Sequence, residues 1–276
     1  MSLIESIVYG LVSGVAEFLP VSARAHQALL RYLFGVDTRN FLQEFLVHIA
    51  ILAAILYSCR DVLFRLQREQ RSQNATQRRR KHSLDVKSYY ELRLLKTAAV
   101  PLIVGLLLTL ATEKMEQRLP YIMVFLLING AVLLLADHSS HGNRDSRTMS
   151  GLDGIVMGLL GAMSAFPGIS RTGIISSYTA IRGADSQNMT DWAILLGIPA
   201  MFFLAIFDLV RMFVFGFGVA SFTDFLSCVF SGVAAFGGGY LGISLLKAML
   251  SQFGFSKFAY YCLGAGLFTF ILFLIT

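Results

Sequence analysis

Glu17-Phe18-Leu19-Pro20-Val21-Ser22-Ala23-Arg24-Ala25-His26 sets a carboxylate, a hydroxyl, a guanidinium and an imidazole inside a chain otherwise built for lipid. Such groups are costly in hydrocarbon, so within apolar sequence they mark a functional site by default. The apolar run from Leu3 stops at Pro20, and a second short segment, Ala23 to Phe34, follows at once. Neither piece is a comfortable crossing of about 30 Å of hydrocarbon. The stretch therefore predicts a hairpin of two half-helices over residues 3–34. It enters and leaves one side of a membrane, and its irregular backbone is tolerated because protein surrounds it.

A second stretch, Phe166-Pro167-Gly168-Ile169-Ser170-Arg171-Thr172-Gly173, reads as its partner inside another broken segment, residues 154–185. Laying Ser22 on Ser170 also places Ile7-Val8 on Ile155-Val156, Gly10-Leu11 on Gly158-Leu159 and Phe18 on Phe166. Gly35 then falls on Gly183, Asp37 on Asp185 and Asn40 on Asn188, without a gap. An apolar chain supplies Leu and Ile matches by chance, but paired Ser, Gly, Asp and Asn less readily. The repeats are residues 1–136 and 152–276 of a single membrane domain.

The remaining apolar runs give crossings at about Phe41–Ser58, Thr97–Thr112, Tyr121–Leu135, Trp192–Val210, Phe222–Leu245 and Phe258–Thr276. The predicted fold is an all-α polytopic membrane protein with about six transmembrane helices and two re-entrant helical hairpins in an inverted repeat. Three crossings per copy, an odd number, turn the second copy upside down. Broken helices meeting near the midplane are a transporter-like plan, so the fold alone does not decide between enzyme and carrier.

Composition agrees: 55% of the 276 residues are hydrophobic and 14% charged, against roughly 25% charged in an average soluble domain. The net charge of +6 sits mostly in Arg60 to Lys96, read as a basic cytoplasmic loop. Orientation in the membrane explains it more simply than nucleic acid does, and its core, Arg78 to Lys81, suits contact with anionic membrane lipids. Alternation then puts both chain ends outside. Cys59, Cys228 and Cys262 lack metal-ligand spacing and are expected as free thiols.

The chemistry follows from the helix starts. An N-terminus presents unpaired N–H groups and the positive end of a dipole, an anion site. Two such starts, near Ser22 and Ser170, with Arg171 and Arg24, predict an electropositive pocket for phosphate, and a guanidinium fork suits its oxygens better than a lysine. Ser22 is a candidate nucleophile that His26, four residues on, can activate. Glu17 can ligate a divalent cation or act as a base. Glu44 and His48 share a face of the first crossing and can flank the pocket, or satisfy each other. Asp208 and Arg211 read as an interfacial ion pair, Asp37 and Asp185 as helix caps, and Gly237-Gly238-Gly239 as close helix packing.

At the two polar stretches the sequence resembles the bacterial undecaprenyl-pyrophosphate phosphatase family associated with bacitracin resistance. That family carries E-x-x-x-E running into F-L-P-V-S-S-T-G-H, and later P-G-x-S-R-S-G. This chain has Ser13-Gly14-Val15-Ala16-Glu17, then FLPVSARAH, then PGISRTG. The resemblance implies removal of the terminal phosphate from undecaprenyl pyrophosphate, a lipid carrier of cell-wall synthesis. It also implies a multi-pass location in the bacterial plasma membrane, a site opening to the outer, periplasmic face, and a divalent cation, Mg2+ or Ca2+. Glu17, Ser22 and His26 take catalytic places by resemblance, Glu17 as metal ligand as well. Arg171, Ser170, Thr172 and Gly168 take substrate-binding ones.

Ser13 stands where the family has its first glutamate, Ala23 where it has its second serine, Arg24 for the threonine and Ala25 for the glycine. The attack is then expected from Ser22, His26 or a metal-activated water, with Arg24 supplying charge stabilisation. The second reading is a non-hydrolytic paralogue that binds polyprenyl phosphate and translocates it. A homo-oligomer is left open, as is prenyl length.

Overall fold

The computed structural model describes residues 1–36, 38–76, 86–138 and 142–276. They form α1 (Leu3–Phe18), α2 (Ala23–Leu33), α3 (Phe41–Ser58), α4 (Arg60–Thr76), α5 (Val86–Leu106), α6 (Thr109–Thr112) and α7 (Leu119–Asp137). The second half holds α8 (Gly151–Ala162), α9 (Arg171–Ile181), α10 (Ser186–Leu195), α11 (Gly197–Phe215), α12 (Phe222–Phe253) and α13 (Ser256–Ile275). Among the described residues six stretches are long and apolar enough to cross a membrane: Phe41–Ser58, Lys87–Met115, Leu119–Asp137, Ser186–Phe215, Phe222–Leu250 and Ser256–Ile275. The chain is a multi-pass, all-helical membrane protein.

The 11 residues of α2 and of α9 cover only about 17 Å at 1.5 Å per residue. Each returns against its predecessor, α2 on α1 and α9 on α8, which fits the re-entrant plan. Helix pairings are kept when the halves are exchanged. α1 packs on α12 as α8 does on α5, α3 on α12 as α11 on α5, and α3 meets α11 as α7 meets α13.

In lipid such contacts gain little from hydrophobicity and depend on close approach at small residues. A Cβ added to Gly10 of α1 would lie 2.0 Å from the Ser231 carbonyl oxygen, and one on Gly158 of α8 2.2 Å from that of Ala98. Gly238 and Gly239 of α12 are likewise pressed against α1 and α3, the packing role expected of the glycine run, whereas a Cβ on Gly237 would meet nothing within 4 Å.

Several expectations change. The basic segment 60–96 is largely helical: α4 follows α3 directly and α5 begins at Val86, ahead of the predicted crossing. The apolar spacing of Val62, Leu63 and Leu66 lets α4 pack on α5, where Arg65 reaches Ser88 and Glu91 at 2.8 Å each. Arg78 to Lys81 lie outside the described residues, as does Asp37. Asp185 does cap α10, accepting from the Asn188 N–H at 2.8 Å. The crossing Ser186–Phe215 is two helices broken at Leu196. Pro199 has no N–H for the Leu195 carbonyl and fits only the first turn of a new helix. The cysteines are free and buried.

Candidate functional site at the meeting of the two hairpin tips

Leu19 leaves α1 in extended backbone, as Phe166 does after α8. Each following helix starts at a serine cap: Ser22 Oγ accepts from the Ala25 N–H, and Ser170 Oγ from the Gly173 N–H. The same hydroxyls tie the tips to each other. Ser22 Oγ also accepts from the Gly168 N–H at 3.1 Å, and Ser170 Oγ donates to the Leu19 carbonyl at 3.1 Å.

Asn129 of α7, 2% exposed, serves both tips. Its Nδ2 donates to the Pro20 carbonyl and its Oδ1 accepts from the Ser170 N–H, each at 2.9 Å. Ser22 holds φ of 69°, a conformation that costs about 1–3 kcal/mol outside glycine and persists only where neighbours enforce it.

Arg171, first residue of α9, is 4% exposed. Its Nε and Nη2 donate to Glu17 Oε1 at 3.1 and 3.0 Å, and its Nη1 to the Ala193 carbonyl at 2.7 Å. The break at Leu196 is therefore part of the site, since the guanidinium serves a carbonyl at the end of α10. Gly197 leaves it room: a Cβ there would come within 2.9 Å of Arg171 Nη2. Thr172 Oγ1 donates to the Glu17 carbonyl at 2.9 Å.

A cavity of about 70 Å³ adjoins this pair, lined by Glu17, Ser170 and Arg171 from the motifs. Five arginines reach it: Arg24, Arg31, Arg39, Arg171 and Arg211. The expected electropositive pocket is in fact a set of carboxylate-held guanidinium groups. Arg24, Arg31 and Arg39 converge on Glu116; Arg31 and Arg39 also meet Glu44, and Arg39 and Arg211 meet Glu113. Burial raises the Glu116 carboxyl, but Arg24, Arg39 and Arg31 together override it and hold the pKa at about 2. Two donors in this wall have no hydrogen-bond partner among the described residues, Arg24 Nη1 and Thr109 Oγ1. Buried polar atoms are seldom left so, and both belong to residues that line the cavity.

The structure places other expected residues elsewhere. Ser22 is 1% exposed and spends its hydroxyl on the tips, off the cavity wall. Gly168 gives its N–H to Ser22, and Thr172 is held to the Glu17 backbone. His26 turns to α13: Nδ1 meets the Ser22 carbonyl at 2.8 Å and Nε2 the Tyr261 hydroxyl at 2.7 Å. Arg24, Gln27 and Arg31 occupy the face of α2 that lines the cavity, and His26 lies off it. Glu44 and His48 both line the cavity without satisfying each other. Glu44 joins the arginines, and His48 Nδ1 meets Asp208 Oδ2 at 2.5 Å. Asp208 and Arg211 are not an interfacial pair either, because Arg211 turns to Glu113 and stacks over Phe41 and Phe207.

Arg31, Arg39, Glu116, Asn129, Ser164 and the cavity role of Asp208 and Arg211 went unforeseen. Arg24, Gln27 and Arg31, at helical spacing, could have announced a polar face of α2. Nothing local announces that Glu116, in the polar connector Glu113–Arg118, folds inward.

Among the described residues a divalent cation finds no ready ligand set. Ser13 holds the place of the family's first glutamate and donates its hydroxyl to the Tyr9 carbonyl at 2.6 Å. Glu17 Oε1 is engaged by Arg171, and among the described residues no group of three or more His, Cys, Asp and Glu side chains could hold a metal.

Comparison with known proteins bears on this arrangement. Undecaprenyl-diphosphatase 2 of Halalkalibacterium halodurans is 28% identical, over 99% of this chain and 97% of its own. Undecaprenyl-diphosphatase 1 of Shouchella clausii is 29% identical, over 98% and 96%. The undecaprenyl-diphosphatase of Methanobrevibacter smithii is 30% identical, over 98% of each. A family model described as bacitracin resistance protein BacA matches residues 6–268, so the chain whose two polar tips meet here belongs to the BacA bacitracin resistance family.

Proposed function

We propose that this protein is an undecaprenyl-diphosphatase, which hydrolyses undecaprenyl pyrophosphate to the monophosphate and orthophosphate and so returns the cell-wall lipid carrier to use. The observation that carries the reading is the convergence of Glu17 and Arg171, one from each tip, on a cavity whose arginine wall keeps an unpartnered buried donor, Arg24 Nη1. Phosphoryl transfer needs charge stabilisation and positioning more than covalent help from the protein. Arg171, pinned at three points, and Arg24 supply both to the terminal phosphate.

His48 acts as the base in this proposal. With a proton on Nδ1 donated to Asp208, Nε2 is left as the acceptor, the arrangement by which a buried carboxylate orients a catalytic imidazole. A water oxygen attacks the terminal phosphorus, its proton passes to His48, and the bridging P–O bond breaks to release the lipid monophosphate. Ser22 keeps the tips in register and His26 ties the first tip to α13, and no step runs through a resident metal. The dependence on Mg2+ or Ca2+ implied by the resemblance belongs to the pyrophosphate oxygens of the substrate.

Arg39, Glu116 and Arg211 lie at the ends of their spans opposite the basic segment 60–96. The bias of basic residues towards the cytoplasm supports a cavity at the outer face. The carrier reading gains no support from the relatives, which are named as diphosphatases.

The test is purified protein in detergent, given undecaprenyl pyrophosphate. The expected result is one orthophosphate per undecaprenyl monophosphate, lost by about 10²-fold or more in His48→Ala. Lipid that stays intact with every cation, while still binding, would show a carrier instead.

A further inference from the structure

A second cavity, of about 260 Å³, lies behind the arginine wall, and the two cavities share Arg31, Arg39 and Glu44. Its other walls are polar: Tyr9, Asn40, Gln43, Ser227 and Asp224 among them. It reaches Gly218 in the connection between α11 and α12, and Val36 and Thr38 between α2 and α3. Those connections end the spans on the side of the membrane where Arg39 and Glu116 lie, so this cavity leads from the site towards water.

The proposed reaction makes two products of opposite character. A lipid monophosphate leaves sideways into the bilayer. Orthophosphate cannot do so, because a multiply charged ion is excluded from hydrocarbon. Two of the three residues of the shared wall, Arg31 and Arg39, carry guanidinium groups that bind such an ion. Arg31 donates to the Tyr9 hydroxyl at 3.1 Å, to Glu44 at 3.1 Å and to Glu116 at 2.9 Å, and Arg39 stands 3.7 Å from Glu44 and 3.5 Å from Glu113. Each guanidinium thus has more than one anionic partner, and can exchange a carboxylate for a phosphate oxygen without being left bare.

We propose that the second cavity is an orthophosphate exit vestibule, with Arg31 and Arg39 as the gate that hands the ion from the reaction cavity to water. The inference rests on the phosphatase reading above, and its test is chosen to be independent of turnover. Cys228 lines the vestibule and is 2% exposed; Cys59 and Cys262 do not line it. In a Cys59→Ala, Cys262→Ala protein at rest, an anionic methanethiosulfonate should label Cys228, and millimolar inorganic phosphate should slow labelling by about fivefold or more relative to chloride of equal ionic strength.

A second variant needs no thiol chemistry. Ser227→Phe fills the vestibule and should lower kcat by about tenfold through slow release, with KM for the lipid unchanged and inhibition by added phosphate altered. Labelling that is indifferent to phosphate, or a folded Ser227→Phe protein with wild-type kcat and wild-type phosphate inhibition, overturns the proposal. A failure of the phosphatase reading would show instead as absent phosphate release from the wild-type protein.

Discussion

Ser22 and Ser170 occupy equivalent places in the two halves and each bonds the backbone of the other's hairpin tip. Ser22 Oγ accepts from Gly168 N–H and Ser170 Oγ donates to the Leu19 carbonyl. The exchange makes the two tips one rigid unit, with Arg171 and Glu17 one step further out. Ser22→Ala is therefore expected to act on stability. Loss of a buried hydrogen bond costs about 1–3 kcal/mol, so the melting temperature in detergent should fall while kcat at low temperature stays within about tenfold of wild type. A variant with wild-type stability and no turnover would return Ser22 to the chemistry.

Asn129 bridges the same tips from α7 with both ends of its amide. Asn129→Leu strands a carbonyl and an N–H in a dry interior, at about 1–3 kcal/mol each. The expected outcome is a larger loss of thermal stability than for Ser22→Ala. Asn129→Asp keeps the acceptor for the Ser170 N–H but gives up the donor to Pro20 and Cys262 and sets a carboxyl oxygen against the Pro20 carbonyl, so it too should be less stable than wild type.

Gly197→Ala tests whether the helix break serves Arg171. The added Cβ lies 2.9 Å from Nη2 and 2.8 Å from Ile55 Cδ1. It should displace the guanidinium and lower kcat/KM by about 10²-fold, the cost of misplacing a group by about 1 Å. A variant that turns over normally would show that the Arg171 geometry is not limiting.

The pH dependence of stability follows from Glu116. Its pKa is depressed from 4.5 to about 2. Such a group contributes stability fully above the unfolded value, and the contribution is lost as pH falls from about 4.5 towards 2. The melting temperature should therefore carry a Glu116 component that is flat from pH 8 to about 5 and falls below. Glu116→Gln should be less stable at pH 7 and should lack that part of the acid loss.

Cation binding separates a resident metal from one carried by the substrate. Equilibrium dialysis of Mg2+ or Ca2+ against the protein without lipid should show no stoichiometric site, in keeping with the absence of a ligand cluster among the described residues. A one-to-one site abolished by Glu17→Gln would contradict this.

Much of the architecture was legible because lipid imposes simple rules. Span length gives the crossings, and the break at Pro20 gives the end of α1 and the short α2, without any tertiary information. The meeting of Glu17 with Arg171 was legible for the same reason, since costly groups at two equivalent tips have few other uses. The rest depends on rotation and long-range closure. Which face of α2 lines the cavity separates Arg24 from His26, and the four-residue spacing of Ser22 and His26 does not encode that rotation. His48 met Asp208 and Glu116 met three arginines across long sequence separations, contacts that no local pattern encodes.

The account stands on the two hairpin tips acting as one unit on pyrophosphate. A double-mutant cycle on kcat/KM for phosphate release, using Glu17→Gln and Arg171→Gln, measures that coupling most directly. The expected result is a loss of about 10²-fold or more in each single variant and a double variant little worse than the poorer single, as for residues that work together. Losses that multiply in the double variant would mean that the two residues act independently, and the shared site would be wrong.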